Sequence, residues 1–453
     1  MENKKPKLRF NGYEEDWKEN QLSSIFDFEI PHNSLSRDKL NNDTGEVKDI
    51  HYGDVLIKYG SVVDVNRETI PYITGAKKAE YSNAGLKDGD IVFADTAEDT
   101  SAGKAIEIQN IKGSHVISGL HTIVARPKEN FSPYFLGYNF NSDTYHSQLI
   151  PLLQGIKVLS INKSALQCTK LNYPKDLQEQ KKIGEFFEEL DELICAKEQE
   201  LEKLKQIKAA LLDKMFPNDE SDKSNRGGYN EVIYSVLQNS SFVCGGDNPN
   251  IPYVRFRGFT EPWERKTIKE LMQFPLDYGL NIAAKKYDGR RKYLRITDID
   301  EDTRIFVKKD ITSPNLENIP SCYQLSEGDI VFARTGASVG KTYLYNKMDG
   351  EVYFAGFLIR GKIKIENDPY FIFTNTLTEE YAKFIKVTSQ RTGQPGVNAL
   401  EYENYSFLVP RENAEQKQIG NFFREQDETI QNAQYQIIKL RNMKQACLQK
   451  MFA

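Results

Sequence analysis

The residues best placed to do chemistry lie in a glycine-containing turn, Gly336-Ala337-Ser338-Val339-Gly340-Lys341-Thr342, just after an apolar run ending at Ala333. The turn is close to a phosphate-binding loop. Such a loop needs four residues between its glycines, so that backbone N–H groups wrap the phosphates before a helix begins. Here there are three, and the matching stretch from Asp95 to Ala105 lacks both the leading glycine and the final hydroxyl residue. Nucleotide hydrolysis is therefore not expected. A basic glycine turn can still hold a DNA phosphate through Lys341 and main-chain N–H groups, and plain turn chemistry explains it equally well.

Other catalytic patterns are missing. The five histidines (His32, His51, His115, His121, His146) all fall in the first third of the chain, and no two have ligand spacing on a helix. There is no G-x-S-x-G and no H-E-x-x-H. Asn248-Pro249-Asn250-Ile251-Pro252-Tyr253 departs from the N-P-P-[FY] tetrad of amino-methyltransferases. What loops do carry is basic and polar side chains: Lys77 and Lys78, Lys104, and Gln154 with Lys157 in the first half. In the second half they are Lys285 and Lys286, Arg290, Arg291 and Lys292 with Arg295, Arg334 with Thr335, and Gln390 and Arg391 with Gln394. Arginine forks onto guanine and glutamine onto adenine, so these are candidate DNA contacts, set against the plainer reading of solvated surface.

The chain around these residues has 453 positions, enough for two to four domains. A hydrophobic share of 39% supports real cores. The net charge of −5 excludes a protein that coats nucleic acid indiscriminately, so any such site must be a local basic face. Five scattered cysteines without a C-x-x-C pair argue against a disulfide scaffold or zinc ribbon and fit a reducing cytoplasm. No apolar run approaches a membrane span, and the basic start is followed by no apolar stretch of a secretory signal.

A repeat organises everything else. Pro6-Lys7-Leu8-Arg9-Phe10-Asn11-Gly12-Tyr13 and Trp17 reappear as Pro252-Tyr253-Val254-Arg255-Phe256-Arg257-Gly258-Phe259 and Trp263. The G-D-I-V-F-A of 89–94 returns at 328–333, E-Q-x-x-I-G-x-F-F of 179–187 at 415–423, and K-M-F of 214–216 at 450–452. The offset between copies drifts early and is constant from Pro174 and Pro410 onward, so each unit pairs a variable domain with a length-fixed element. Duplicated catalytic residues would appear twice. None do, and the sequence points to binding.

The length-fixed element reads as a helix of about 40 residues, roughly 60 Å long. In 176–216, Ile183, Leu190, Lys197, Leu204 and Leu211 recur every seven residues, with Phe186, Leu193 and Ile207 between and Phe187 beside them. The second copy, 411–453, carries Ile419, Phe422, Phe423, Ile430, Ile437, Leu440, Met443 and Cys447. Seven basic and 11 acidic residues give the first stretch a net −4; 7 and 5 give the second +2. Opposite signs favour pairing of the two helices with each other, antiparallel, over packing of each on its own domain alone. Ile183, Phe187, Leu190, Leu204, Leu211, Ile419, Phe423 and Leu440 are the expected pairing residues. The expected architecture is two mixed α/β (α+β) domains in tandem, 1–175 and 251–410, separated by two antiparallel coiled-coil helices with pseudo-two-fold symmetry. A polar linker, 217–250, joins the units, with a short strand or helical turn at 231–237. Strands are expected at 54–57, 90–94, 117–124, 329–333, 353–360 and 405–409, and helices at 131–153 and 370–386.

The openings P-x-[LV]-R-F-x-G-[YF], the G-D-I-V-F-A strands, the R-T-G-x-x-x-G-K loop and the doubled E-Q-x-x-I-G-x-F-F helices resemble the specificity subunit of type I restriction-modification systems. The match covers nearly all of the chain outside 217–250. The resemblance implies two target-recognition domains, each reading one half of a bipartite double-stranded DNA site, with the helices as spacer. It implies two modification (methyltransferase) subunits and two restriction (endonuclease and translocase) subunits as partners, holding S-adenosylmethionine, ATP and magnesium that this non-catalytic chain does not. A structural adaptor without DNA readout, and a fused nuclease or methyltransferase, are the alternative classes.

Overall fold

The structure, a computed structural model, describes residues 5–217, 241–244, 248–391 and 393–452. The segment at 231–237 lies outside the described residues. The chain divides into two compact units, Met1–Glu198 with Tyr435–Ala453, and Gln199–Gln434. This division passes through both long helices, Leu177–Met215 and Asn413–Met451, each of 39 residues. No helix among the described residues is long and apolar enough to cross a membrane.

The repeated motifs meet in one contact, made once in each unit. In the first, Arg9 Nε donates to Glu179 Oε1 at 2.6 Å and Nη2 to Oε2 at 2.8 Å. In the second, Arg255 donates to Glu415 through the same two atoms at 2.7 and 2.8 Å. The fork thus ties the opening segment of each unit, an irregular stretch at Arg9 and the strand Val254–Phe256 at Arg255, to the first turn of a long helix. Its outer face is also held: Arg9 Nη1 donates to the Glu15 carbonyl and Arg255 Nη2 to that of Glu261. Arg255 and Glu415 are 4% and 1% exposed, so each charge depends on the other.

The rest of the motif has equally local causes. Gln180 donates to the Pro174 carbonyl and accepts from the Ser132 amide; Gln416 does the same with Pro410 and Asp368. Gly184 and Gly420 let the long helix press on the start of a domain helix. A β-carbon at Gly184 would lie 2.7 Å from the Pro133 carbonyl oxygen, and one at Gly420 2.0 Å from Asp368 Oδ1. Ile183, Phe187, Ile419 and Phe423 are buried beside them.

In the first unit the central sheet runs Phe26–Asp27, Thr122–Pro127, Ile91–Ala94, Ala105–Gln109, Val62–Asp64, antiparallel except for the last pair. Ile91–Ala94 is buried throughout, which is why it reads as a continuous apolar run; Ala105–Gln109 is buried throughout as well, although it carries Glu107 and Gln109. In the second unit an antiparallel sheet runs Asp277–Tyr278, Leu358–Lys362, Asp329–Ala333, Thr342–Leu344. The repeated aspartate that opens each central strand is a turn anchor. Asp90 accepts from the Lys87 amide and a forked Arg126; Asp329 accepts from the Ser326 amide. Gly89 and Gly328 before them have φ of +86° and +82°.

Several expected elements differ in detail. Residues 54–57 belong to a helix, Tyr52–Ile57, because His51 caps its start by accepting from the Gly53 amide. A short apolar run alone does not separate strand from buried helix. The runs at 117–124 and 353–360 are each two strands divided by a turn, Val116–Ser118 and Thr122–Pro127, then Val352–Phe354 and Leu358–Lys362. The helix expected at 370–386 is Pro369–Asn375 and Glu379–Thr388, re-capped by the Thr378 hydroxyl. Its counterpart divides likewise at Ser142, into Phe135–Phe140 and Asp143–Leu149.

Within each unit one end of each long helix packs on the other in antiparallel sense. In the first, Asp191 pairs with Lys444 and Glu198 with Arg441. In the second, Lys208 pairs with Asp427, reversing the sign that net charge suggests. Leu190 and Leu211 are buried, whereas Leu204 and Leu440 are half-buried and Leu193 is 45% exposed. Phe216, from the first K-M-F, stacks on Phe371 and lies edge-on to Trp263 in the second unit. Phe452, from the last K-M-F, stacks on Phe187 and meets Trp17 in the first. Each helix therefore starts on the domain before it and ends in the core of the other unit.

Removing half of the buried fork should be costly. Glu415→Ala leaves the Arg255 guanidinium buried without its counter-charge and should cost about 3–5 kcal/mol, read by urea unfolding of the full chain. A loss below about 1 kcal/mol would refute the clamp's importance, since that is the worth of an exposed pair.

Candidate nucleic-acid interface

Each unit builds the same backbone frame at the end of its central strand. In the first, the Asp95 amide donates to the His121 carbonyl at 3.0 Å, and the Asp95 carbonyl accepts from the Ile161 amide at 2.8 Å. In the second, the Arg334 amide donates to the Phe357 carbonyl at 3.0 Å, and its carbonyl accepts from Val397 at 2.9 Å. Asp95 and Arg334 are thus equivalent, as are the turn residues His121 and Phe357. Next to them Thr96–Ala97 pairs with Leu159–Ser160, and Thr335 bridges Gly396.

The side chains on this common frame differ. Asp95 Oδ1 accepts from the Thr96 hydroxyl at 2.7 Å and lies 3.2 Å from His121 Nδ1. His121 is exposed with φ of +56°, uncommon for a residue with a side chain, and meets the Tyr52 ring edge-on at 5.3 Å. In the second unit Arg334 lies over the Tyr278 ring, 5.0 Å from its centroid, and its Nε is buried without a hydrogen bond. Tyr278 and Phe357 are exposed large aromatics.

The basic candidates divide by what holds them. In the second unit Arg290 pairs with Glu351, Arg291 with Asp288, Arg295 with Asp298, Arg391 with Glu401, and Lys341 with Glu301. Arg291 also donates to the carbonyls of Leu316 and Glu317, and Lys292 to that of Asp349. Among the described residues no carboxylate pairs with Arg334. Thr335 is half-buried, and Gln390 and Gln394 are exposed; the Gln394 amide rests against Gly336. In the first unit Lys77 pairs with Glu46, Lys78 is exposed beside it, and Gln154 and Lys157 stand on an exposed hairpin closed by Gln154 and Ser160. Lys104 turns inward: Nζ donates to the carbonyls of Leu56 and Tyr59 at the end of the helix Tyr52–Ile57, and burial lowers its pKa. The structure brings together Arg334, Thr335 and Gln394; the Arg290–Arg295 cluster belongs to a different strand pair, Lys292–Leu294 with Val352–Phe354.

The glycine turn at 336–342 uses its own amides. Those of Gly336, Val339, Gly340 and Lys341 donate to the carbonyls of Pro395, Gly336, Ala333 and Ser338. A strand, Thr342–Leu344, follows it, so no helix N-terminus faces a phosphate.

Asp95, His121, Tyr52, Tyr278 and Phe357 escaped the sequence reading, which searched for positive charge. A signal existed. Asp95 and Arg334 each directly follow the repeated G-D-I-V-F-A, so the register of the repeat already aligned them.

Twin frames that hold unlike side chains define a duplicated recognition protein. A family model, the type I restriction modification DNA specificity domain, matches residues 14–206 and 260–441. The chain belongs to that family. It is 27% identical over 322 residues, 68% of this chain and 70% of the relative, to a chain of Methanocaldococcus jannaschii named as the type I restriction enzyme MjaX specificity subunit. Its fold is similar to the crystal structure of the type I restriction-modification S subunit from M. genitalium, with a TM-score of 0.60, 13% identity and 99% of each chain covered.

The first unit also holds a buried acid, Asp49. Asp49 accepts from Asn33 Nδ2, its Oδ2 has no partner, and burial pushes its pKa up to about 6. The folded state therefore favours the protonated acid. The stability this contributes is full below the ordinary aspartate pKa and is lost as pH rises toward 6. The difference is about 3 kcal/mol. Asp49→Asn should be less destabilising at pH 7 than at pH 3, relative to the parent chain, by that amount in urea unfolding. Parallel pH profiles for the two chains would refute it.

Proposed function

We propose that this chain is the DNA-reading specificity subunit of a type I restriction-modification complex, and that each unit reads one half of a bipartite duplex site. The observation that carries the reading is the pair of equivalent frames with unlike tips. One scaffold used twice with different side chains suits a site whose halves differ in sequence. Family membership supports the assignment to DNA and to a complex with other restriction-modification subunits.

In this reading the chain binds and does not itself react. Two modification subunits and two restriction subunits carry the chemistry, with S-adenosylmethionine, ATP and magnesium bound to them. Affinity for duplex comes from phosphate contacts made by exposed side chains such as Lys78 and Lys157, and specificity from side chains that reach base edges. The long helices, shared by both units, set the distance between the half-sites.

Exchange of residues 1–150 for the equivalent domain of another family member tests the division of labour. Methylated adenines mapped in a genome carrying the exchanged chain should change in one half of the site and keep the other half and the gap. A change in both halves, or in neither, would refute one domain per half-site.

A further inference from the structure

We infer that Asp95 and Arg334 are the same specificity-determining position in the two units, and that they demand opposite things of the DNA: Asp95 an amine donor, cytosine N4, and Arg334 the paired acceptors O6 and N7 of guanine. This rests on the DNA-reading function proposed above and deepens it to named bases.

Equivalence is a backbone fact. Each residue is the first after the central strand, donates its amide to the divided turn, and accepts from the segment leading to the last short helix. Both bonds are main-chain, so the fold holds the position whatever side chain it carries. A position fixed in place and free in identity is where a duplicated reader can vary its specificity without altering its frame.

The side chains are left in states that suit base contact. The arginines 290, 291, 295 and 391 each face an acid at pairing distance, whereas among the described residues none pairs with Arg334. The Tyr278 ring beneath it supports the guanidinium without neutralising it. A planar, charged fork on a rigid support matches the two acceptors on the guanine edge. Asp95 has the reverse character. A carboxylate is repelled by phosphate, so at a DNA-facing tip its favourable partner is an amine, and in the major groove aspartate accepts from cytosine N4. Its two hydrogen bonds, from Thr96 and His121, both go to Oδ1; among the described residues none reaches Oδ2. His121 and Thr96 thereby orient the carboxylate and leave one oxygen for the base.

The test is selection of preferred duplexes from a pool randomised in both half-sites, using the full chain assembled with its modification subunits. The parent chain should select a bipartite sequence with a required cytosine in one half and a required guanine in the other. Arg334→Lys keeps the charge and loses the fork. It should retain affinity for random duplex and its salt dependence, while preference for that guanine falls about tenfold and the other half stays unchanged. Asp95→Asn, which adds a donor to the same shape, should alter preference at one position of the first half only. Thermal melting of each variant confirms an intact fold, and Arg334→Ala provides a second substitution of the same contact. If the parent selects a bipartite site and neither variant shifts a base preference, or each shifts the wrong half, the inference fails while the DNA-reading function stands. If the parent selects no bipartite sequence, the function fails and the inference with it.

Discussion

The structure depends on one contact made twice, the fork of Arg9 on Glu179, part-buried, and of Arg255 on Glu415, buried. Two charges taken out of water are worth keeping only where geometry satisfies both, and here each oxygen of the glutamate receives its own N–H. The fork joins residues 170 and 160 positions apart in sequence. It fixes where the opening segment lies relative to a long helix, and the neighbouring Gln180 and Gln416 hold the loops that lead into the domain helices. The copies are not identical. Trp17 Nε1 also donates to Glu179, whereas Trp263 Nε1 is buried without a partner among the described residues. The arginine and glutamate are common to both copies, and the tryptophan contact is accessory.

Much of this frame was legible because it is repeated. Residues such as Glu179, Gln180, Ile183, Gly184 and Phe187 recur at fixed spacing because each answers a local demand: a guanidinium to pair, a carbonyl to cap, a close approach to permit, a ring to stack. Where expectations failed, the missing information was three-dimensional. Residues 54–57 are apolar enough for a strand, and only the capping role of His51 makes them helical. Leu193 fits the heptad and is exposed, because the stripe serves the helix partner in one stretch and the domain in another. The K-M-F ends were visible as repeats, but nothing in their spacing says that Phe216 and Phe452 finish in the core of the unit opposite the one their helix begins on.

The candidate interface was less legible, for an electrostatic reason. Positive charge marks nucleic-acid contact in bulk, yet in a chain with net charge −5 many of the cations are held by acidic neighbours. Arg291, Arg295 and Lys341 lie in ion pairs, and Lys104 holds two carbonyls. Sequence shows that these side chains exist and not whether they are already engaged. Arg334 differs from them in having no acidic partner among the described residues, and a missing partner is visible only in space. Asp95 carries the wrong sign for a search built on phosphate attraction, though it sits at the register position of Arg334.

The contrast between frame and tip follows from which atoms make the bonds. At the clamp the side chains themselves hold the fold, so substitution of Arg255 or Glu415 is paid in stability, and the same residues appear in both copies. At Asp95 and Arg334 the main chain holds the fold through bonds to residues 121 and 161, and 357 and 397. Any residue with an amide can stand there, and the two copies carry opposite charges. The two copies thus differ where only the main chain bonds, and agree where side chains carry the bonds of the frame.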